Sequence, residues 1–217
     1  MTDAHCHVSA NDPTVRELIV GRDFRGVHPW ETLSDETEFD EGALRDRLAS
    51  DPHLGVGEIG LDRLKDKAIS PRMRRVFEAQ LAIAAAFGRP VVLHGAKCWG
   101  EVVRACQPHA GRIPSFLFHG FSRSDGLLPD IVKLNGFVSV GPAVLNDHAV
   151  NYRELVRKIP LERLLVETDR TPENAATCPS VHEIAAKVAE LRGMSAEALE
   201  DRLDANIGAF ADCVAAH

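Results

Sequence analysis

Seven short apolar runs punctuate the chain: Ala4 to Val8, Phe24 to Trp30, Leu54 to Leu61, Pro90 to His94, Ser115 to His119, Phe137 to Gly141 and Leu164 to Asp169. Their length and their turn-residue borders predict strands, and the stretches between them carry helical spacing. Ser70-Pro71 offers a cap and a first-turn proline for a helix with apolar positions from Met73 to Phe87, which Gly88 and Pro90 stop. Ser180-Val181-His182-Glu183 reads as a capping box opening a helix towards Leu191, and Ser195 with Glu197 starts the last helix. Alternation of this kind predicts an α/β fold with a parallel sheet. Seven strands are one short of a (β/α)8 barrel, and the interval from His7 to Gly26 is too short for a helix, a strand and a helix. Leu18-Ile19-Val20, the one apolar run there, fits a vestigial strand or part of a helix. The expectation is a TIM-like (β/α) barrel over residues 1–217 as one domain, shortened or distorted near its second strand.

Polar residues close these runs in a regular way. His5 and His7 are two apart, so on a strand they project together, and neutral imidazole is the commonest protein metal ligand. Val27 is followed by His28, Gly57 by Glu58, Leu93 by His94, Phe118 by His119, and Val166 by Glu167-Thr168-Asp169. A lone histidine after an apolar strand is more often a structural, hydrogen-bonded residue. Repetition through the chain changes that reading, because a parallel barrel gathers the C-terminal ends of its strands at one mouth. Imidazoles and carboxylates meeting there need charge or hydrogen bonds to satisfy them, which divalent metal provides. One tetrahedral catalytic metal uses three protein ligands, so six point to two metals sharing a carboxylate. Such a pair activates water for hydrolysis of an ester or amide, with phosphoesters favoured.

Composition narrows the picture further. The 217 residues are 45% hydrophobic, enough for a full core, and no run approaches a membrane span or a signal peptide, so a soluble cytoplasmic protein is expected, with no membrane association and no obligate protein partner evident. The formal net charge of −7 argues against coating duplex nucleic acid, yet it leaves room for a nuclease whose bound cations supply positive charge locally. Cys6, Cys98, Cys106, Cys178 and Cys213 form no C-x-x-C pair and read as reduced thiols. The acidic patch from Asp35 to Glu41 reads as a solvated loop.

Taken in order, Asp3-Ala4-His5-Cys6-His7, Gly26-Val27-His28-Pro29, Gly57-Glu58-Ile59-Gly60-Leu61-Asp62, the His94 strand, His119-Gly120-Phe121-Ser122, Glu167-Thr168-Asp169 and Asn206 with Phe210 resemble the TatD family of metal-dependent hydrolases, often described as deoxyribonucleases. The resemblance implies one metal held by His5, His7 and Asp169, a second held by His94 and His119, and Glu58 bridging both. It further implies that Asp169 accepts a proton from the attacking water and that His28 lines the substrate side. DNA or nucleotide ends are the implied substrate, with another small ester, amide or lactone, or a metal-binding scaffold without activity, as alternatives. The residues leave the metal open among zinc, iron, manganese and magnesium. Three departures mark a short branch: the abbreviated segment after His7, Arg63 in place of the aromatic residue that commonly follows Gly-Leu-Asp, and a different stretch from Arg170 to Pro179.

Several other residues near the strand ends suit a structural as well as a functional role. Asp62 could orient a ligand or form an ion pair at the rim. Glu167 faces the same side as Asp169 and suits support of a ligand histidine. Arg63 and Lys97 sit where a phosphate-binding cation is wanted, although solvated surface is the commoner role. Ser122 could bind substrate or cap a helix, and Trp30 and Trp99 fit packing first and a stacking surface second. Asn206 fits a tie between the last helix and a loop.

Overall fold

In the computed structural model, which describes residues 1–34 and 38–211, the inferred strands form two parallel sheets. β1 (Thr2–Cys6) pairs with β2 (Arg16–Ile19). β3 (Phe24–Arg25), β4 (Gly55–Asp62), β5 (Val91–Ala96), β6 (Phe116–Phe118), β7 (Gly136–Val140) and β8 (Leu164–Val166) follow one another in a second sheet in chain order. Backbone contacts join the two sheets at both seams. Val20 bridges Phe24, and past β8 the Asp169 amide donates to the His5 carbonyl at 3.1 Å while the His7 amide donates to Arg170 at 2.8 Å. Strand order and seams are those of a TIM-like barrel.

The eighth strand lies in the short interval: Leu18 and Ile19 belong to β2, so that run is a strand, not a helix. No helix separates β1, β2 and β3, and polar side chains replace the missing helical packing. Glu17 is buried and accepts from the Ala10 amide at 2.6 Å and the Ser9 hydroxyl at 2.5 Å, fastening the loop after His7. Asp23 accepts from the Ile19 amide at 2.7 Å and closes the next turn. The strand expected from Phe24 to Trp30 stops at Arg25, and Pro29–Leu33 forms a 3-10 turn, since Pro29 has no amide to give a ladder. Likewise β1, expected to reach Val8, ends at Cys6 just before His7, and β8 ends at Val166, short of Asp169.

Helices α1 (Glu41–Ser50), α2 (Pro71–Phe87), α3 (Trp99–Cys106), α4 (Leu128–Lys133), α5 (Val150–Lys158), α6 (Val181–Arg192) and α7 (Ala196–Ala211) follow the later strands. Ser70 caps α2 through the Met73 amide at 3.0 Å, and Gly88 ends it in the left-handed region at φ 61°. The capping box of Ser180 and Glu183 opens α6. Of the expected acidic loop, residues 35–37 lie outside the described residues, while Asp40 caps α1 and Glu41 begins it. No helix of the described residues is long and apolar enough to cross a membrane.

Two apolar clusters hold the fold. The larger lies where strands meet helices, and the smaller includes Val92, Leu117, Phe137 and Leu165 with Ile207 and Phe210 of α7. Each of those four strand residues stands two positions before a polar one, namely His94, His119, Ser139 and Glu167, so strand alternation stacks a polar layer on an apolar layer. Phe210 lies against Phe24 and Phe137 with ring centroids 6.1 and 5.9 Å away. Asn206 donates to the Leu161 and Leu164 carbonyls at 2.8 Å each, tying α7 to the start of β8 as the sequence suggests. Cys6, Cys98 and Cys106 are buried free thiols, and burial raises the pKa of each. Cys213 lies outside the described residues.

Candidate metal centre

Glu58 sits inside β4 with 3% of its surface exposed, where an unsatisfied carboxylate would be costly. Its two oxygens meet different neighbours. Oε2 lies 3.5 Å from His5 Nε2 and 3.4 Å from His7 Nε2. Oε1 lies 2.7 Å from His94 Nδ1, 2.7 Å from His119 Nε2 and 3.4 Å from His28 Nε2. The close approach of β4 to β5 depends on Gly60, where a Cβ would fall 1.9 Å from the His94 carbonyl oxygen.

On the Oε2 side, Asp169 Oδ1 stands 3.5 Å from both His5 Nε2 and His7 Nε2. Each of the two carboxylate oxygens therefore lies 3.4–3.5 Å from each of the two imidazole nitrogens, a mixed nitrogen and oxygen donor set of the kind that binds divalent metal. His5 is 1% exposed, and neither ring nitrogen has a hydrogen-bond partner. An orphaned imidazole in such a place fits a cation. β1 delivers His5, His7 follows just past the strand with its amide bonded to the Arg170 carbonyl, and the bond from the Asp169 amide to the His5 carbonyl fixes the carboxylate beside them.

On the Oε1 side the neighbours are braced from behind. Asp62 Oδ2 accepts from His94 Nε2 at 2.8 Å, which leaves the Nδ1 lone pair facing Glu58 unless a second proton or a metal ion lies there. Glu167 Oε1 stands 3.5 Å from His119 Nδ1 and accepts from the Gly120 amide at 2.7 Å, while the Ser139 hydroxyl donates to Oε2. Glu167 thus backs His119 instead of entering the centre. His28 differs: its Nδ1 accepts from the Trp30 amide at 3.2 Å, so the proton sits on Nε2 and the ring presents a donor towards Glu58.

The electrostatics agree with a place that demands positive charge. Burial opposes ionisation of Glu58, but His119, then His28 and His5, outweigh it and hold the carboxyl well below its usual range. Asp169 is likewise raised by burial and lowered more by His5 and His7. Hydrogen bonding to Asp169 and then to Glu58 pushes His7 up to about 9. Burial and its neighbour His119 disfavour charge on His5, yet the same two carboxylates raise it overall. Protons and divalent cations compete for such sites. Among the described residues, three overlapping groups have ligand atoms gathered closely enough for an ion: His5, His119 and Asp169; His5, His7 and Glu58; His28, Glu58 and His94.

Two clefts lead away from the centre and share Gly120, Ser122, Arg123 and Asp169. One, of about 730 Å³, passes Leu64, Lys97 and the start of α3; the other, of about 440 Å³, passes Pro142, Ala143, Val150 and Tyr152. Ser122 therefore stands in the clefts and caps no helix. Trp30 is 43% exposed, donates from Nε1 to Asp62 at 2.7 Å and lies 6.1 Å from the His94 ring, whereas Trp99 is packed on Phe118 and Phe121. Arg63 pairs with Glu101 at 2.5 Å.

Sequence reasoning missed two supports. Asp3, buried to 3%, accepts from the Thr168 amide and hydroxyl at 3.0 and 2.5 Å and from the His5 amide at 3.3 Å, joining the two segments that carry the Oε2 side. Its position two before His5 is the signal that could have revealed it. Gln80 of α2 clamps Val27, taking its amide at 2.7 Å and donating to its carbonyl at 3.1 Å, and so sets the segment bearing His28. A lone polar residue on an apolar helix face carried no such signal.

A family model described as TatD related DNase matches residues 23–211, a span that begins after His5 and His7. The uncharacterized metal-dependent hydrolase YabD of Bacillus subtilis (strain 168) is 30% identical over 179 residues, covering 79% of this chain and 70% of that protein. A protein named 3'-5' ssDNA/RNA exonuclease TatD, from Klebsiella pneumoniae (strain 342), is 30% identical over 195 residues, 84% of this chain and 73% of the other. Among solved structures, YJJV, a TatD homolog from Escherichia coli K12, superposes with a TM-score of 0.81 at 23% identity over 97% of both chains. A TatD family hydrolase from Entamoeba histolytica gives a TM-score of 0.69 at 14% identity, over 97% of this chain and 83% of that one.

Proposed function

The chain belongs to the TatD-related family of metal-dependent hydrolases, and from that premise we propose that it is a two-metal phosphodiesterase trimming single-stranded DNA or RNA from the 3' end. The observation that carries the reading is the division of Glu58, with Oε2 turned to His5 and His7 and Oε1 turned to His94 and His119. One ion would be held by His5, His7 and Asp169, the other by His94 and His119, with Glu58 spanning them. Divalent cations so placed supply Lewis acidity and make water a nucleophile near neutral pH.

The residues divide the remaining work. Asp169, whose side chain is 46% exposed at the junction of both clefts, receives the proton of the attacking water. Because its pKa is lowered, it is ionised and ready, and it accepts a proton only from a strongly acidified water, which ties its action to the metals. His28, whose Nε2 hydrogen faces Glu58 Oε1 at 3.4 Å, lines the substrate side of the centre beside His94. Asp62 and Glu167 hold the His94 and His119 rings in register. The exposed Leu64 and Val150 in the cleft walls give apolar surface for nucleobases. The name of the Klebsiella relative supports the choice of substrate and polarity.

The test is elemental analysis of reconstituted protein together with degradation of end-labelled single-stranded DNA. Two divalent ions per chain and stepwise loss of nucleotides from the 3' end are expected. Turnover of small esters, amides or lactones with intact DNA would overturn the substrate, and failure to bind any metal would overturn the mechanism.

A further inference from the structure

Lys97, just past β5, and Arg123, after β6, both hold left-handed backbone, at φ 56° and 58°. Such conformations are uncommon for residues other than glycine, asparagine and aspartate, and they are enriched at ligand-binding positions. Both residues line the cleft of about 730 Å³ whose floor includes His94, His119 and Asp169. Neighbouring cations are already engaged. Arg63 is paired with Glu101, which also neutralises the acid in this cleft wall, Lys65 lies 3.8 Å from the centroid of the Trp30 ring, and Arg170 donates to the Ala175 and Cys178 carbonyls at 2.6 and 3.3 Å. Among the described residues, Lys97 and Arg123 have neither a hydrogen bond nor an ion pair. In a chain of net charge −7, two unmatched cations over one cleft beside the centre are a local reversal of sign.

We propose that the cleft between β5 and β6 is the subsite for the phosphodiester next to the scissile one, with Lys97 and Arg123 as its two cationic contacts. This rests on the phosphodiesterase reading above and adds to it a direction for the substrate. The other cleft has walls of Pro142, Ala143 and Val150 and shares only Arg123 as a cation, so it receives the terminal sugar and base. The substrate class that follows is an oligonucleotide carrying at least two phosphodiester linkages, held by its backbone charge and not by its sequence.

The test uses the metal-loaded full chain and a fluorescent oligothymidylate whose 3'-terminal linkage is a non-hydrolysable methylene phosphonate. A second probe has, in addition, an uncharged methylphosphonate at the next linkage. The wild type is expected to bind the charged probe roughly a hundredfold more tightly than the neutralised one. Lys97→Ala and Arg123→Ala should each weaken binding of the charged probe by roughly tenfold and lower the salt slope by about one. The double variant, checked by circular dichroism for an intact fold, should no longer distinguish the two probes, as coupling in a thermodynamic cycle requires. No binding by the wild type, equal binding of both probes, or equal losses on both in the variants would overturn the subsite. A protein that discriminates the probes yet degrades no DNA would keep the subsite and remove the exonuclease reading, and one that degrades DNA without discriminating would do the reverse.

Discussion

The two sides of Glu58 carry similar ligand chemistry but are built differently. On the Oε2 side the nitrogen and oxygen atoms stand 3.4–3.5 Å apart, the spacing of atoms around a shared ion. On the Oε1 side, His94 and His119 each lie 2.7 Å from the carboxylate oxygen, a hydrogen-bonding distance that must open to admit an ion. The first side is set by backbone: His5 lies in β1 and His7 just past its end, with the His7 amide bonded to the Arg170 carbonyl and the Asp169 amide to the His5 carbonyl. The second is set by side chains from separate strands, each braced by a further carboxylate. Preorganisation lowers the cost of binding, so the Oε2 side is expected to take its ion first and more tightly.

The severest way to break this contrast is to remove what both sides share. Glu58→Gln should cut DNA hydrolysis by a factor on the order of 10⁴ or more and leave at most one ion per chain by elemental analysis. A variant keeping two ions and near-normal turnover would show that Glu58 bridges nothing. Asp169→Asn strikes one side only. A loss of roughly 10²- to 10⁴-fold is expected in turnover, with the weaker ion still bound in a calorimetric titration.

A smaller change addresses the other side. Asp62→Asn keeps the shape of the side chain but removes the charge that fixes the His94 tautomer, and should weaken the second ion by roughly 10- to 100-fold. The tighter ion should stay within about twofold, because Asp62 bonds to His94 and Trp30 and touches neither His5, His7 nor Asp169. Equal weakening of both phases would mean that the two sides are one cooperative unit.

What could be read without the fold follows the same division. His5 and His7 were legible because strand period alone places them together, and His94, His119 and Glu58 because each closes or interrupts an apolar run. β2 resisted, since it is four residues long with Glu17 buried in it and no helix to frame it. Asp62 could be read two ways because its partners, His94 and Trp30, are 32 residues away in opposite directions along the chain, and only the fold chooses between ligand support and a rim ion pair. The contraction on the Oε1 side had no sequence signature at all, being a matter of tenths of an ångström among side chains.

Occupancy also stabilises the fold, an effect smaller than those on turnover. Metal at about a hundredfold above its dissociation constant adds about 2.7 kcal/mol per site. For a chain of this size that is a rise of roughly 5–10 °C in melting temperature. Thermal scans with zinc, manganese and magnesium should show the rise, and chelation should reverse it. An unchanged midpoint across all three metals would contradict a preformed site on the Oε2 side.

The smallest expected effect is how that rise varies with pH. Without metal, the centre's positive charge comes from its imidazoles, and His7 is pushed up to about 9 by Asp169 and Glu58. An unfolded histidine titrates near 6.5. A group whose pKa is raised by folding contributes stability that is fully present below the unfolded value and is lost as pH climbs through the folded one. The metal-free protein should therefore lose stability from about pH 6.5 towards 9, as the carboxylates are left facing neutral rings. Metal binding runs the other way, since an ion needs the imidazoles deprotonated and meets less competition from protons as pH rises. The gap between metal-loaded and metal-free melting temperatures should widen over that window and shrink below it. His7→Gln should flatten this widening more than His94→Gln does if the Oε2 side is the one formed in advance, and the opposite ranking would reverse the assignment of the two sides.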